Sequence, residues 1–321
     1  MIEYILLAVG IFLLVKGADY LVKGSTSLAK RLRVPTLVIG LTIVAFGTTM
    51  PELTVNLFAA VKGLGEIAFG NIIGSNMANI LLILGITAII TNVKIHKSTV
   101  WKEIPFSFLA VLILFVFSNA FLLDKVSINY LLRTEAIILL FFFVIFIWYV
   151  FGLAKRSRTQ LEDKKIKIKE RSYWTIFPII ILGIIALFIG GQWTVNSAAT
   201  IARNFGVSEF LISASIVAIG TSLPELATAI TAAKRKDTNL AVGNIMGSNI
   251  LNIFWILGVT AVINPIAFPV FARVDLIILM ATTFLLFLFM FIGKKHQLER
   301  WKGIVFVIAY ILYIIFLIVR G

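Results

Sequence analysis

The chain has 321 residues, no cysteine, 60% hydrophobic residues and a net charge of +14, with a mean hydropathy of +1.04. Soluble domains sit nearer 45–50% apolar, so this composition excludes an ordinary soluble globule, and the missing cysteines exclude a disulfide framework or thiolate chemistry. The positive charge raises the question of nucleic acid, which its distribution along the chain answers below.

Ten apolar runs follow one another at roughly 2–22, 34–60, 67–91, 104–123, 134–154, 173–194, 207–232, 239–263, 275–293 and 303–319. Each is long enough to cross a bilayer core as a helix. The expected fold class is therefore an all-α polytopic membrane protein with ten transmembrane helices. The start, MIEYILLAVG, carries Glu3 in place of a basic leader and has no small-x-small cleavage site, so it reads as a first span and not as a cleaved signal.

Sorting the connections onto alternate sides places 22 of the 29 Lys and Arg on one side and 6 on the other, with Lys16 inside the first span. The rich side takes Lys23–Arg33, Lys94–Lys102, Lys155–Arg171, Lys234–Lys236 and Lys294–Lys302. The positive-inside rule puts that side in the cytoplasm. Both termini then lie outside the cell, in a multi-pass plasma-membrane protein. The basic excess is topological, and no nucleic-acid partner is expected; the partner is the lipid bilayer.

The second apolar run, VPTLVIGLTIVAFGTTMPELTVNLFAAV, holds AFGTTMPEL in its middle, and AIGTSLPEL recurs at 218–226. Between Ile43 and Thr87, 23 of 45 residues are identical to those 173 positions later, with no gap. GNIIGSNMANI (70–80) returns as GNIMGSNILNI (243–253). The chain therefore reads as 1–154, an N-terminal five-helix repeat; 155–172, a cytoplasmic linker; and 173–321, a C-terminal five-helix repeat. Five spans are odd, so the second repeat enters with opposite orientation. Inverted repeats are a transporter architecture, with the substrate site at the midplane.

Pro51 and Pro224 lack an N–H and collide with the carbonyl four residues back. Gly47 and Gly220 add freedom. Both helices are expected to break there and to free carbonyls from Ala45 to Thr48 and from Ala218 to Thr221. Irregular backbone at membrane depth is tolerated only where it is buried in protein or faces a cavity. Glu52 and Glu225 follow at once, and a carboxylate at mid-membrane is a functional candidate by default. The structural alternative is a capping box, Thr49-x-x-Glu52 and Ser222-x-x-Glu225, that merely seals a half-helix.

The second motif supplies neutral oxygens on one helix face: Asn71, Ser75 and Asn79, then Asn244, Ser248 and Asn252. Asn76 and Asn249 add amides, and Gly70, Gly74, Gly243 and Gly247 are expected to admit close helix contact. Interhelical hydrogen bonding alone is the competing role for these amides. Lys16 and Asp19 are expected to pair at i, i+3.

The oxygen set contains carboxylates, hydroxyls, amides and carbonyls, and the only histidines, His96 and His296, fall in loops. Oxygen donors suit hard cations, calcium with about 6–8 ligands, and soft transition metals prefer sulfur or imidazole. The hydroxyls of Thr48, Thr49, Thr221, Ser222, Ser75 and Ser248 suit sodium. Two ions that need the same two glutamates compete, and competition is the simplest basis of exchange.

The doubled GTTMPE/GTSLPE and GNIIGSN/GNIMGSN resemble the α-repeats of the cation/calcium exchanger superfamily, in its sodium/calcium exchanger branch and in a compact, prokaryotic-type form. The resemblance implies calcium ligands at Glu52, Glu225 and the carbonyls of Thr48 and Thr221. It implies sodium ligands among Ala45, Thr49, Ser75, Ala218, Ser222 and Ser248, with Asn79 and Asn252 at a central site. Proton-coupled members resemble G-N-x-x-E where this chain has Gly74 and Gly247, and potassium-coupled members carry an acid at the place of Asn252. The expectation is a sodium/calcium antiporter with no prosthetic group, functional as a monomer. A proton/calcium exchanger and a cation channel are the alternatives. An enzyme is not expected, since no His, Cys or Asp in the central spans could assist a nucleophile.

Overall fold

The computed structural model describes residues 2–119, 130–162, 172–206, 218–269 and 272–320. The helices are α1 (Ile2–Leu32), α2 (Thr36–Thr48), α3 (Met50–Lys62), α4 (Gly65–Ile90), α5 (Lys97–Ser118), α6 (Arg133–Glu162) and α7 (Tyr173–Asn204). After a helical turn at Ala218–Gly220 come α8 (Leu223–Lys234), α9 (Thr238–Ile263), α10 (Ala272–Phe289) and α11 (Arg300–Arg320). Among the described residues, seven of these are long and apolar enough to cross a membrane, or eight if the bent pair α2–α3 is one span. Residues 207–217, the first part of the predicted 207–232 span, lie outside the described residues, as does linker segment 163–171. Three helices clearly outrun their predicted spans: α1 continues past 22 to Leu32, α6 past 154 to Glu162 and α7 past 194 to Asn204.

Lipid-facing and protein-facing helices are easily told apart. In the most apolar window of α4 and of α9, 78% and 83% of residues are buried, against 22% in α6 and 28% in α11. A helix buried on all sides has no solvent or lipid face to distinguish, and α4 and α9 bury the polar residues Ser75, Asn76, Asn79, Asn244, Ser248, Asn249 and Asn252. They form the centre.

Around them α1 and α7 pack along their length as an antiparallel pair. Gly10 meets Gly190 and Thr194; Gly17 meets Gly183 and Leu187. A Cβ built on Gly183 would stand 2.7 Å from the Leu21 backbone nitrogen, and one on Gly17 would stand 2.8 Å from that of Leu187. Gly10 and Gly17 stand 173 residues before Gly183 and Gly190, so the doubling reaches the flanking helices.

The connections gather at two ends in the grouping the charge count predicts. At the basic end, β1 (Val93–Lys94) pairs antiparallel with β4 (Gln297–Leu298), Val93 opposite Leu298. Thr238 Oγ1 also donates to Lys94 O (3.3 Å) there. At the other end β2 (Tyr130–Leu131) pairs with β3 (Ile266–Ala267). Arg133 Nε donates to Val262 O (3.0 Å) and Asn264 Nδ2 to Ala60 O (3.0 Å). Left-handed backbone recurs at the offset of 173: Arg33 (φ 56°) with Gly206 (φ 79°), and Gly63 (φ 71°) with Lys236 (φ 60°). Each closes a helix.

Asp19 is paired differently from expectation. It binds Arg235, 216 residues away, while Lys16 lies over the Phe12 ring at 5.8 Å. The turn following α8 brings a guanidinium, with its bidentate fork, to the carboxylate that local spacing assigns to a lysine.

The α1–α7 seam has no room for a side chain. Gly183→Val places branched methyls against backbone, and overpacking of this kind costs about 1–3 kcal/mol. The expected outcome is a fall in the thermal unfolding midpoint of the detergent-solubilised protein. Gly152→Val, at a position where a Cβ would meet no described atom within 4 Å, is expected to leave the midpoint in place.

Candidate cation site

Each broken helix turns at one residue. Thr49 (φ −82°, ψ 7°) separates α2 from α3, and Ser222 (φ −87°, ψ 5°) precedes α8, both in the bridge region. Pro51 and Pro224 sit in the first turn of α3 and α8, where a missing N–H costs nothing. Helices α2 and α3 meet at 48°. Since Pro51 and Pro224 cannot donate, the carbonyls of Gly47 and Gly220 lose their i+4 partners. The break begins later than expected, so the Ala45 carbonyl is engaged and not freed. It accepts Thr49 N–H (3.0 Å), Thr49 Oγ1 (2.8 Å) and Thr48 Oγ1 (3.3 Å). Regular bonding resumes with Leu53 N–H on Thr49 O (3.1 Å) and Leu226 N–H on Ser222 O (3.0 Å).

The capping-box alternative fails on this geometry. Neither Thr49 nor Ser222 makes a side-chain cap hydrogen bond. Thr49 turns back to Ala45, and the Ser222 hydroxyl is buried with no partner.

Glu52 and Glu225 are each 1% exposed. Glu52 Oε1 accepts Ser75 Oγ at 3.2 Å. Glu52 Oε2 and both oxygens of Glu225 accept nothing. Among the described residues neither carboxylate has an ion-pair partner. Removing a carboxylate from water costs several kcal/mol, and only a charge partner and hydrogen bonds recover it.

The motif amides divide their two ends between two tasks. Asn79 Nδ2 donates to Asn249 Oδ1 (2.9 Å) and Asn252 Nδ2 to Asn76 Oδ1 (2.9 Å). Each bond is the other moved by 173 positions. The Oδ1 atoms of Asn79 and Asn252 are left buried without a donor, and so are the hydroxyls of Ser222 and Ser248. Both asparagines sit where α4 and α9 widen into π-helical turns, Ala78–Ile83 and Asn252–Leu257. Such bulges are frequent at functional sites.

Asn71 and Asn244 serve as struts. Thr48 Oγ1 donates to Asn244 Oδ1 (3.0 Å) and Thr221 Oγ1 to Asn71 Oδ1 (3.4 Å), again a matched pair. Ser75 and Thr221 approach at 3.4 Å. Ala218 opens the helical turn that leads to Thr221. Gly243 and Gly247 press on Leu37 O, Gly40 and Leu41, which fulfils their expected role. Gly70 and Gly74 have nothing within 4 Å among the described residues. Residues 210–217, which stand at the same offset from 37–44, lie outside those residues.

Sequence reasoning alone does not reach Asn56. It receives Asn71 Nδ2 on its Oδ1 (2.6 Å) and donates to Ala68 O (3.2 Å). The available signal is its place one turn after Glu52 on α3, though the second repeat has alanine there, Ala229.

Two fully buried carboxylates with no ion-pair partner among the described residues, ringed by acceptor oxygens at two helix breaks, are the arrangement that a cation site in a membrane protein calls for. The chain matches the sodium/calcium exchanger protein family over residues 2–152 and 175–319, and it belongs to that family. It is 35% identical over 319 residues to the putative antiporter CaxA of Alkalimonas amylolytica, covering 98% of each chain. It is 28% identical over 354 residues to the sodium/calcium exchanger MaX1 of Methanosarcina acetivorans, again covering 98% of each. Its fold matches the solved sodium-calcium exchanger NCX_Mj with a TM-score of 0.81, 30% identity and 97% of both chains covered.

The division of labour among the amides and hydroxyls predicts opposite responses to truncation. In ion-free buffer Ser248→Ala removes an oxygen that satisfies nothing, and the unfolding midpoint is expected to hold or rise. Asn76→Ala strands the Asn252 amide, with an expected loss of about 1–3 kcal/mol, read as a lower midpoint.

Proposed function

We propose that this protein is a secondary antiporter that exchanges sodium for calcium across the plasma membrane by alternating access. The observation that carries the reading is the pair of buried glutamates, three of whose four oxygens accept no hydrogen bond. A divalent cation matches two carboxylates in charge. Calcium would be held by Glu52, Glu225 and the carbonyls of Thr48 and Thr221. Sodium would take the oxygens of Ala45, Thr49, Ser75, Ala218, Ser222 and Ser248, with Asn79 and Asn252 at the centre. Loading the Ala45 oxygen requires the two threonine hydroxyls now on it to turn away. Gly74 and Gly247, which offer no carboxyl, favour sodium over protons as the coupling ion. The family membership and the two named relatives support exchange over a channel.

The scaffold in this reading is ten spans in two inverted repeats, 1–154 and 173–321. The linker 155–172 is cytoplasmic and both termini are outside. The matched hydrogen bonds, the matched left-handed caps and the sorting of loops to two ends support it. One chain carries a complete site, so a monomer suffices, and the cargo ions are the only metals required.

Glu52→Gln and Glu225→Gln are each expected to abolish calcium uptake into sodium-loaded proteoliposomes while leaving a folded protein. Losing one of two unit charges near a divalent ion is worth several kcal/mol even at an effective dielectric near 20, and about 1.4 kcal/mol is tenfold in affinity. Uptake at the parental rate in either variant would remove that glutamate from the site. Uptake driven by a pH gradient with no sodium present would reassign the coupling ion.

The linker orientation is tested separately. A single cysteine at 163 in this cysteine-free chain is expected to resist an impermeant thiol reagent in intact cells and to react once the membrane is opened. Labelling in intact cells would invert the topology.

A further inference from the structure

Residues that correspond at the offset of 173 are unequally buried. Thr48, Pro224, Thr228 and Val22 are buried, whereas Thr221, Pro51, Val55 and Val195 are half-exposed. The half-exposed set borders a cavity of about 210 Å³ between α3 and α7, lined by Pro51, Thr54, Val55, Gln192, Val195 and Thr221 among others. It reaches the broken helix beside the glutamates. The corresponding residues on the basic side belong to α8 and α1, which lie against each other.

The shut face is fastened at its rim. Arg235, just past α8, pairs with Asp19 of α1. Two residues on, Asp237 Oδ1 accepts Thr36 Oγ1 (2.7 Å) and Oδ2 accepts Thr26 Oγ1 (3.4 Å). These bonds tie the α8–α9 turn to α1 and to the start of α2. The corresponding positions on the open face lack both carboxylates. Asp19 corresponds to Gln192, Arg235 to Lys62, Asp237 to Leu64 and Thr26 to Ala199. Lys62 remains there with no carboxylate partner among the described residues, and it lies over the Phe58 ring at 4.2 Å.

We propose that the Asp19–Arg235 pair, with Asp237 clasping Thr26 and Thr36, is a latch that holds the basic-side entrance shut. Asp19 is then a positioning residue that sets the balance between the two accessibilities without touching an ion. The inference rests on the alternating-access reading and adds the device that biases it. The pair's side chains are 40% and 42% exposed. An exposed pair biases an equilibrium modestly, by about two- to fivefold. That is enough to shift populations while leaving the entrance able to open.

The test uses thiol reactivity in the detergent-solubilised full chain. One cysteine replaces Ala227 on the shut face, and another, in a separate protein, replaces its counterpart Thr54 on the open face. Asp19→Asn, Arg235→Gln and the double variant are made in each. Labelling at 227 is expected to rise about two- to fivefold in each single variant and no further in the double, since the two act through one contact. Labelling at 54 is expected to hold or fall. An unchanged rate at 227 in both single variants would overturn the latch. So would a double variant that multiplies the two effects, or a rate at 54 that climbs along with that at 227 and betrays general loosening. Calcium uptake by the same preparations reports on antiport separately, and the latch stands or falls on labelling even where the parental chain moves no calcium.

Discussion

A carboxylate buried without a partner is among the most expensive things a membrane protein can contain, and this one contains two, Glu52 and Glu225, each 1% exposed. Much of the surrounding architecture is arranged so that neither meets a fixed counterion among the described residues. No lysine or arginine is brought to them among the described residues. A fixed counterion would stabilise the fold and close the site to a mobile one. In the proposed reading the positive partner has to come and go, so the protein supplies only neutral oxygens and leaves the charge for the cargo.

The neutral groups are sorted accordingly. Donor ends of Asn79 and Asn252 are consumed in cross-bridges to Asn249 and Asn76, and their acceptor oxygens are left over. Thr48 and Thr221 spend their hydroxyl protons on Asn244 and Asn71. Rigidity comes from the hydrogen atoms and binding capacity from the lone pairs. An oxygen-only, proton-poor interior suits a hard cation, and in the proposed reading the orphaned acceptors at this depth store an instability that a bound ion would relieve. The π-helical turns at Ala78–Ile83 and Asn252–Leu257 set these asparagines at the centre of the two most buried helices.

The polar half of this was legible in the sequence because it was doubled. A single Pro-Glu in an apolar run is ambiguous, but the same expense at a fixed offset of 173 is not chance. The grouping of the loops at two ends was legible too, because Lys and Arg counts are additive along the chain and need no packing information. What was not legible depended on contacts between distant segments. Asp19 has Lys16 three residues away, yet it binds Arg235, which only the tertiary fold delivers. Asn56 has no counterpart in the second repeat, so repetition could not point to it. The carbonyl of Ala45 was expected to be freed, because proline alone does not say which residue the break turns on. Thr49 took that position and kept Ala45 occupied.

The doubling also sets a limit on itself. A chain built from two strictly equivalent halves would have no reason to favour one entrance over the other, since each half presents to one side what its twin presents to the other. Bias has to come from positions where the halves have diverged. In the central helices they have diverged little: Glu, Pro, Ser and Asn repeat, and the Asn79–Asn249 and Thr48–Asn244 bonds recur as Asn252–Asn76 and Thr221–Asn71. At the rims they have. Asp19 and Arg235 face Gln192 and Lys62 across the offset, and Asp237 faces Leu64. In the proposed reading, binding chemistry common to both directions is thus confined to the repeated core, and the preference between directions is written in exposed residues at its edge. Those edge contacts are weak one by one. That weakness is what the proposed alternating access requires, because a shut entrance would still have to open at each turn of the cycle, and a strong fastening would leave the protein in a single state.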